Sequence, residues 1–401
     1  MHVLLIHQAF TTLNEPGGTR HHELAIYLAD RGHQVSIIAS PISYLTGKMT
    51  PQDEVSDGYD RIQIIRPWVY SALHRSFFHR VINFVSFMFT SFIAAMKVKD
   101  IDLVWGTTPP LFQGITAWIV SKFKKVPFLF EVRDLWPAFA VAVGVLKNRV
   151  LIVASEWLER TLYKGADALI INSPGFRDHV ESRGGKRVFL VPNGSDVTMF
   201  HPEMRGESFR NKHNLNQQFV VLYAGAHGIS NDLTTVLNAA ALLIDIRRLT
   251  IVLLGDGKEK INLQLKASTM GLSNVQFVDP IPKAEMVNAI AAADVCLAIL
   301  QPIKLYQTVY PNKVFDYMAA GRPVILAMEG VIRDVIQKAQ AGVMVPPGNA
   351  KALAEAIRNL EKDREMLRIL GRNGRNYVKK HFDRSQLAER LLRIMSDIIQ
   401  N

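Results

Sequence analysis

Short apolar runs alternate with longer segments of helical periodicity along most of this chain. Such alternation is typical of parallel sheets built from strand-helix-strand units. A polar stretch over 202–218 interrupts the pattern, which then begins again. The runs predict two series of strands: first Val3–His7, Val35–Ala39, Ile62–Arg66, Leu103–Gly106, Phe128–Val132, Leu169–Asn172 and Val188–Val191, then Val220–Ala224, Thr250–Leu254, Val275–Val278, Val295–Ile299, Val324–Ala327 and Val343–Val345.

Two series of strands predict two domains. A chain of 401 residues also exceeds the size at which a single hydrophobic core usually keeps growing. We expect α/β domains with doubly wound parallel sheets that face each other, over 1–200 and 201–383, with the boundary between about Pro192 and Gln218. The last helix, over 384–401, has an apolar stripe that must dock on another element, and we expect it to cross back to the first domain.

The composition is that of a folded protein, because 48% of the residues are hydrophobic and only 21% are charged. Cys296 is the single cysteine, which excludes an intramolecular disulfide and fits a reducing compartment. No secretory leader pattern precedes the first predicted strand. The uncharged run over 81–96 is shorter than the roughly 20 residues that span a bilayer. We therefore expect a cytoplasmic protein.

A formal net charge of +11 predicts phosphate-rich partners, which include nucleic acid, anionic lipid and nucleoside diphosphates. We expect no nucleic acid partner, because the sequence has no zinc-ligand spacing, RNA-binding aromatic signature or basic groove helix. The segment from Leu73 to Lys99 has the composition of a helix on a membrane surface, although a buried helix with solvated ends explains it equally well. It contains His74, Arg75, His79, Arg80, Lys97 and Lys99 around Phe77, Phe78, Phe84, Phe87, Phe89 and Phe92.

Ligands bind beyond the carboxyl ends of parallel strands, so the residues that follow each strand are the candidates for a site. In the first domain, Gly17 and Gly18 precede a helix whose N-terminal N–H groups suit a phosphate. Paired glycines also make ordinary turns, so this motif is weak by itself.

Three ionisable residues, Glu131, Arg133 and Asp134, cluster at the end of the predicted strand Phe128–Val132. A carboxylate there can hold an acceptor hydroxyl, and the planar guanidinium suits an oxyanion. The alternative is a structural ion pair beside a buried Trp136. We assign the three ionisable residues as candidate catalytic residues.

Glycine-containing turns follow the first strands of the second domain. They resemble a phosphate-cradling loop but lack the GxGxxG spacing and a Walker lysine. The candidate donor-binding residues are Gly225, His227 and Gly228 after the first strand, Gly255, Asp256 and Gly257 after the second, and Ile281 after the third, where backbone groups can read the edge of a base.

The most specific motif begins at Tyr310 and predicts a loop, a short helix, a glycine-terminated turn and a strand. The helix N-terminus at Asn312 and the charge of Lys313 can neutralise a diphosphate. Asp316, one turn further, can accept hydrogen bonds from ribose hydroxyls. A surface pair of Lys313 with Asp316 is the alternative.

Together these motifs resemble family 4 of the retaining GT-B glycosyltransferases, over nearly the whole chain. The resemblance is carried by the paired glycines at 17–18, the PNG run at 192–194, the GxHG turn at 225–228, the GDG turn at 255–257 and the run at 316–324. The runs EVRDLWP and PNKVFDYMAAGRPVI resemble the bacterial O-antigen and capsule branch, similar to N-acetylfucosamine transferases.

The resemblance implies a GT-B fold in which 1–200 with the last helix binds the acceptor and 201–383 binds the donor. It implies that Asp316 is the second acid of an ExxxxxxxE motif and binds ribose. Other implied roles are donor sugar and diphosphate binding by Tyr310, Asn312 and Lys313, approach to the donor phosphate by Gly17 and Gly18, and a place near the reacting centre for Arg133, where many relatives have histidine, with Asp134 beside it.

Two departures from the family pattern matter. The first acid of the motif falls on Thr308. The Arg and Lys that relatives carry after the first strand of the second domain are missing from 227–232. Lys313, Arg133, His227 and loop amides must then offset the diphosphate charge.

The implied reaction moves a sugar, expected to be an N-acetylated amino or deoxy sugar, from a nucleoside diphosphate to an acceptor, with retention. The basic aromatic segment from Leu73 to Lys99 and the excess positive charge predict that the acceptor is a polyprenyl diphosphate-linked saccharide. The product of this reaction would enter lipopolysaccharide O-antigen or capsule. The family uses positive groups in place of a metal, so we expect no cofactor besides the nucleotide sugar, with UDP before GDP. We expect a peripheral protein on the anionic inner face of the cell membrane.

Two other functions on the same architecture stay open: a sugar-nucleotide epimerase and a non-catalytic sugar-nucleotide binding protein. A dinucleotide oxidoreductase would need GxGxxG after its first strand, where this chain has the stretch from Gln8 to Gly18.

Overall fold

The computed structural model describes residues 1–43, 47, 49, 59–71 and 77–400. The chain divides into two compact units, each with its own parallel sheet. The first unit takes its residues from Met1–Leu13, Gly17–Pro192 and Ser385–Asn401, and the second from Asn14–Pro16 and Asn193–Arg384.

The elements of the first unit up to its last strand are β1 (His2–Ile6), α1 (Arg20–Asp30), β2 (Gln34–Ile38), β3 (Ile62–Ile65), α2 (Phe77–Lys97), β4 (Leu103–Thr107), α3 (Phe112–Lys124), β5 (Phe128–Val132), α4 (Ala138–Ala142), α5 (Arg149–Gly165), β6 (Ala168–Ile171), α6 (Arg177–Ser182) and β7 (Val188–Leu190). The remaining elements are α7 (Glu207–Lys212), β8 (Phe219–Ala224), α8 (Leu233–Ala241), β9 (Leu249–Leu254), α9 (Lys260–Thr269), β10 (Val275–Val278), α10 (Lys283–Ala291), β11 (Val295–Ile299), α11 (Asn312–Ala319), β12 (Val324–Ala327), α12 (Val331–Ala339), β13 (Gly342–Met344), α13 (Ala350–Lys362), α14 (Arg364–His381) and α15 (Arg384–Gln400).

The strand order is β3-β2-β1-β4-β5-β6-β7 in the first sheet and β10-β9-β8-β11-β12-β13 in the second. Within the described residues, neighbouring strands of both sheets run parallel. Both orders reverse at the first strand of the unit, between β1 and β4 and between β8 and β11. Such a reversal opens a crevice beyond the carboxyl ends of the strands, and this is where a doubly wound sheet binds ligands. The predicted fold class is confirmed.

Each predicted strand is present, and its ends lie within one residue of the predicted ends. Parallel sheets are covered by helices on both faces, so their strands read as continuous apolar runs. β4, β5 and β8 are buried over their whole length, so each of them appears in the sequence as an uninterrupted apolar run.

The chain leaves the first unit after Pro192, at the start of the expected boundary region from Pro192 to Gln218 and eight residues before the domain limit at 200/201. The Ser195 N–H donates to the Phe382 carbonyl at 3.0 Å, and Asn193 Nδ2 donates to the Tyr310 carbonyl at 2.9 Å. These hydrogen bonds hold the residues after Pro192 in the second unit.

α15 packs into the core of the first unit, as predicted from its apolar stripe. Leu391 and Met395 are almost completely buried there, in the same cluster as Leu24 and Leu28 of α1. Tyr27 of α1 also donates a hydrogen bond to Glu389 of α15 at 2.8 Å.

α2 is an amphipathic helix on the core of the first unit. Its buried stripe consists of Asn83, Phe87, Ser91 and Ala95, spaced four residues apart. Among the described residues, His79–Lys97 is a helix long and apolar enough to cross a membrane by length and composition, a test that core helices also pass. Of the predicted membrane-surface segment, Leu73, His74 and Arg75 lie outside the described residues, as do the side chains of Phe77 and Phe78.

Replacement of Leu391 by alanine is expected to lower the free energy of unfolding by about 2–5 kcal/mol, because it opens a cavity between α15 and the first unit. Leu265→Ala is the matched control, since this leucine is 63% exposed on α9 and its loss should change stability by less than about 0.5 kcal/mol. Denaturant titrations followed by circular dichroism measure both values. Equal midpoints for the two variants would contradict the docking of α15.

Candidate active site

Polar side chains gather in the first unit where β1, β4 and β5 end. His7 follows β1, Thr107 ends β4 and Arg133 follows β5. These strands are neighbours in the order β1-β4-β5, at the reversal of the first sheet. The ligand-binding position of this sheet therefore has an arginine and a histidine.

The side chain of Arg133 is held by three hydrogen bonds. Its Nε donates to Thr107 Oγ1 at 2.9 Å and to the Thr108 carbonyl at 2.8 Å, and Nη2 donates to His7 Nε2 at 2.9 Å. Burial lowers the pKa of Arg133 to about 10, so the guanidinium stays charged at neutral pH. Since Nε2 of His7 accepts a hydrogen bond from the guanidinium, the ring hydrogen is on Nδ1, and burial lowers the pKa of His7 so that the ring is neutral.

Glu131 does not present a free oxygen to a substrate, which corrects its predicted contact with an acceptor hydroxyl. The side chain is fully buried, Oε1 accepts from Arg20 Nε at 2.8 Å, and Oε2 pairs with His21 Nε2 at 2.8 Å. Burial opposes ionisation, but Arg20, His21 and Arg133 together outweigh it and lower the pKa of Glu131. Burial lowers the pKa of His21 to about 4, so a neutral ring donates to the ionised carboxylate. Glu131 is therefore a positioning residue for α1.

Asp134 differs from Glu131, because its Oδ1 is buried and has no hydrogen-bond partner among the described residues. Burial raises the pKa of Asp134 to about 6, although the charge of Arg133 opposes this change. A carboxylate with a raised pKa and an unused oxygen, next to a charged guanidinium, suits proton transfer near neutral pH.

Gly17 and Gly18 lie in the loop that leads into α1. Thr11 Oγ1 donates to the Gly18 carbonyl at 3.0 Å. Gly17 has a φ of +149°, and a Cβ at this position would lie 3.0 Å from the Thr11 methyl group. The predicted close-packed turn is present, and its contact with a phosphate stays a prediction.

The loops after β8 and β9 pack backbone against backbone in the second unit. A Cβ on Gly255 would overlap the Gly225 carbonyl, and one on Gly257 would overlap the backbone of His227. All three glycines have positive φ, at +150° for Gly225, +146° for Gly255 and +158° for Gly257. The His227 N–H donates to the Asp256 carbonyl at 2.8 Å, which joins the two loops.

Lys313, near the N-terminus of α11, places a half-buried ammonium beside these loops. Its Nζ lies 3.9 Å from the centroid of the Tyr223 ring and would lie 2.5 Å from a Cβ on Gly225. Burial lowers the pKa of Lys313 from 10.5 to about 7, and no charged group in the described chain opposes this shift. A desolvated cation without a counter-ion is unfavourable, so this position favours the binding of an anion.

His227 is fully buried, and both of its ring nitrogens lack hydrogen-bond partners among the described residues. Burial, together with the charge of Lys260, lowers the pKa of His227 to about 4, so the ring is neutral. Buried polar atoms without partners indicate a ligand or an ordered water. Gly228 follows and precedes a single 3-10 turn at Ile229–Asn231.

The carboxylate of Asp316 is held by donors from the protein itself, and its contact with ribose stays a prediction. Its Oδ1 accepts from Ser195 Oγ at 2.8 Å, and its Oδ2 accepts from Lys283 Nζ at 2.5 Å and Asn312 Nδ2 at 3.3 Å. The side chains of Asp316 and Lys283 are 7% and 9% exposed. Asp316 therefore fixes α11 to α10 and to the segment after Pro192. The alternative pairing of Asp316 with Lys313 is not formed.

The remaining predicted donor residues lie around α11 and β10. The Tyr310 ring packs edge-on against Phe315 and Phe382, with centroids at 5.7 Å and 6.1 Å. Ile281 follows β10 and packs partly buried against the core. Their contacts with a donor stay predictions.

Several residues around Glu131 and Arg133 in the first unit, and around His227 and Asp316 in the second, were not predicted from the sequence. They are His7, Arg20, His21, Thr107, Lys260 and Lys283. His7 and Thr107 stand at the carboxyl ends of strands, so the rule that located Arg133 also points to them. Arg20, His21 and Lys283 lie on helices, and their sequence positions carry no comparable signal.

Two family models match the chain. The first, described as "Glycosyl transferase 4-like domain", matches residues 17–194, and the second, "Glycosyl transferases group 1", matches residues 206–377. Together they span most of both units. The first match ends two residues after Pro192, where the chain leaves the first unit, and the second match lies within the second unit.

Similar proteins agree with these matches. A putative colanic acid biosynthesis glycosyl transferase of Escherichia coli, WcaI, is 23% identical over 359 residues, which cover 84% of this chain and 86% of WcaI. Sucrose-phosphate synthase from Thermosynechococcus elongatus superposes with a TM-score of 0.81 at 20% identity, over 100% of this chain and 99% of that one. Anabaena HepE, solved with UDP and glucose, superposes with a TM-score of 0.76 at 16% identity, over 99% of this chain and 100% of that one.

Two doubly wound units, each with a parallel sheet that reverses at its first strand, form the GT-B fold. The chain is a glycosyltransferase, and the two family matches support the family 4 type.

Replacement of Lys313 by methionine is expected to raise the free energy of unfolding of the ligand-free protein by about 1–3 kcal/mol at neutral or lower pH, since it removes a half-buried unpaired charge. The folded pKa, about 7, lies below the ordinary value of 10.5. Between these values only the unfolded wild-type chain holds the proton, so wild-type stability rises with pH and approaches that of the variant.

Thermal or denaturant unfolding across this pH range measures the difference. Lys258→Met, at an exposed position on the neighbouring turn, is the control and should show no such trend. A difference for the Lys313 variant that stays constant with pH would contradict the half-buried ammonium.

Replacement of Asp316 by asparagine is expected to cost about 3–5 kcal/mol of stability, because it leaves the Lys283 ammonium buried without its counter-ion. Asp279→Asn is a matched control: Lys260 and Asp279 are also 2.5 Å apart, but Asp279 is 92% exposed, so the loss should be below about 1 kcal/mol. Urea titrations compare the two. Similar small losses would contradict the structural role of Asp316.

Proposed function

We propose that this glycosyltransferase moves a sugar from a nucleoside diphosphate donor to a saccharide carried on polyprenyl diphosphate, with retention of anomeric configuration. The observation that supports this most directly is the unpaired ammonium of Lys313 beside the glycine loops of the second unit. A diphosphate supplies the negative charge that this ammonium lacks.

The donor site would work mainly through electrostatics. Departure of a nucleoside diphosphate leaves negative charge on the phosphate, and groups fixed in advance to receive it lower the barrier. Lys313, the buried His227 ring and the amides of the loops after β8 and β9 are the groups in place to do so. The reaction then needs no metal and no cofactor besides the nucleotide sugar.

UDP is the proposed nucleotide, with the base read by the backbone around Ile281. HepE, which has a similar fold, was solved with UDP and glucose, and its binding of UDP supports this choice of nucleotide. For the sugar we propose an N-acetylated amino or deoxy sugar, which the EVRDLWP and PNKVFDYMAAGRPVI runs suggest.

The first unit would bind the acceptor at the cluster of His7, Arg133 and Asp134. The charged guanidinium of Arg133 suits the phosphates of a polyprenyl diphosphate. Asp134, with a pKa of about 6 and an unused buried oxygen, suits the proton of the acceptor hydroxyl. Proton transfer to Asp134 would leave the attacking oxygen free to bond to the anomeric carbon.

The biological role we propose is surface polysaccharide assembly, in O-antigen or capsule synthesis. WcaI, a relative by sequence, is named for colanic acid biosynthesis. We also propose that this glycosyltransferase is a peripheral protein in the cytoplasm, on the anionic inner face of the cell membrane, and the net charge of +11 supports this proposal.

Replacement of Lys313 by alanine is expected to weaken sugar-nucleotide binding by at least about tenfold, because a charge-assisted contact to the diphosphate is lost. A panel of UDP and GDP sugars, screened by thermal shift and followed by calorimetry, measures the affinity. Lys258→Ala, at an exposed position beside Gly257, is the control and should bind normally. Unchanged affinity in the Lys313 variant, with the best donor in the panel, would refute the assignment of the donor site.

A further inference from the structure

The α4–α5 segment, residues 138–158, is apolar in sequence and exposed in the structure. Residues 138–146 read AFAVAVGVL, without a polar side chain. All residues of the segment are described, and Leu146 alone among them is buried. The exposed large apolar side chains are Val141, Val145, Val150, Leu151, Val153 and Trp157.

The first turns of α5 are well formed although they contribute nothing to the core. Asn148 Oδ1 accepts from the N–H groups of Val150 and Leu151 at 3.0 Å and 3.1 Å, which caps the helix. Burial begins only at Glu159. Val150, Val153 and Trp157 have helical spacing along one stripe, and Val150 and Trp157 are 75% and 67% exposed. An apolar surface of this extent on a folded protein indicates an interaction site.

The charges around this stripe indicate what covers it. Lys147 precedes α5, Arg149 begins it, and Arg160 and Lys164 lie further along it. The acidic residues over 138–164 are Glu156 and Glu159, and Glu159 is buried. Exposed aliphatic side chains, a tryptophan and an excess of basic residues form the composition of a helix that lies in the interface of an anionic bilayer. Tryptophan itself prefers that interface.

The segment also lies close in the chain to the proposed acceptor site. α4 begins four residues after Asp134, and the Phe139 N–H donates to the carbonyl of the buried Leu135 at 2.9 Å. A surface seated on lipid at this position would bring a lipid-linked acceptor to the residues that follow β5.

We propose that the α4–α5 segment seats the first unit on the anionic membrane, through the stripe Val150, Val153 and Trp157. The choice of an anionic bilayer rests on the proposed function, in that a lipid-linked acceptor lies in such a membrane. This membrane-binding surface is not the one predicted from the sequence, which was the basic aromatic helix α2. The stripe of α2 from Asn83 to Ala95 is buried in the core.

The test is flotation with vesicles of phosphatidylethanolamine and phosphatidylglycerol, compared with vesicles of phosphatidylcholine alone. The variant is Val150→Ser, Val153→Ser, Trp157→Ser. A double variant of α2, Phe89→Ser with Ile93→Ser, tests the rival surface. A double variant of α9 in the second unit, Ile261→Ser with Leu265→Ser, is the control, because these side chains are comparably exposed. Thermal unfolding and UDP-sugar binding of every variant separate loss of folding or donor binding from loss of docking.

The triple variant is expected to bind the anionic vesicles at least about tenfold more weakly than wild type, since apolar side chains no longer enter the interface. The α2 and α9 variants should bind like wild type, and all should keep their donor affinity. Loss of vesicle binding in the α2 variant with normal binding of the triple variant would overturn the proposal.

Two further outcomes also overturn it and leave the donor assignment intact. In one, the wild-type protein does not bind anionic vesicles at low salt but binds the sugar nucleotide. In the other, light scattering shows a dimer that the triple variant dissociates while vesicle binding is unchanged, which assigns the stripe to a second copy of the chain.

Discussion

The ammonium of Lys313, half-buried and without a counter-ion among the described residues, is the constraint on which the proposed donor site depends. The face of the Tyr223 ring lies against Nζ, and Gly225 leaves the space that a Cβ would fill. Negative charge next to this ammonium raises its lowered pKa toward the ordinary value. Anion binding and proton uptake are therefore linked above a pH of about 7, and the ligand-free state holds the least favourable arrangement of these groups.

The sequence predicted the sheets better than the boundary between the units. Strands such as β4 and β5 are buried on both faces, so each appears locally as an apolar run. The place where the chain changes units depends on contacts made far along the sequence. Asn193 bonds to Tyr310, 117 residues later, and Ser195 bonds to Asp316, 121 residues later. No local pattern contains these partners.

The same limit applies to the acidic residues. Glu131 and Asp134 both stand at the end of β5, and the sequence gives them equivalent positions. The fold brings Arg20, 111 residues away, onto Glu131, while Oδ1 of Asp134 receives no partner among the described residues. Asp316 likewise meets Lys283 from another helix. A strand end thus predicts that a residue reaches the site, and partners from elsewhere decide whether its charge is available to a ligand.

α2 and α5 show that apolar content does not predict burial either. The stripe of α2 includes Asn83 and Ser91, yet it is buried, because Asn83 accepts from Gln8 Nε2 at 2.8 Å and donates to the Tyr70 carbonyl at 2.6 Å. The stripe of α5 is more apolar, yet it faces solvent over its first turns. A polar residue inside a helical stripe therefore indicates a hydrogen-bond partner within the protein. An uninterrupted apolar stripe with basic neighbours indicates a binding partner outside the protein.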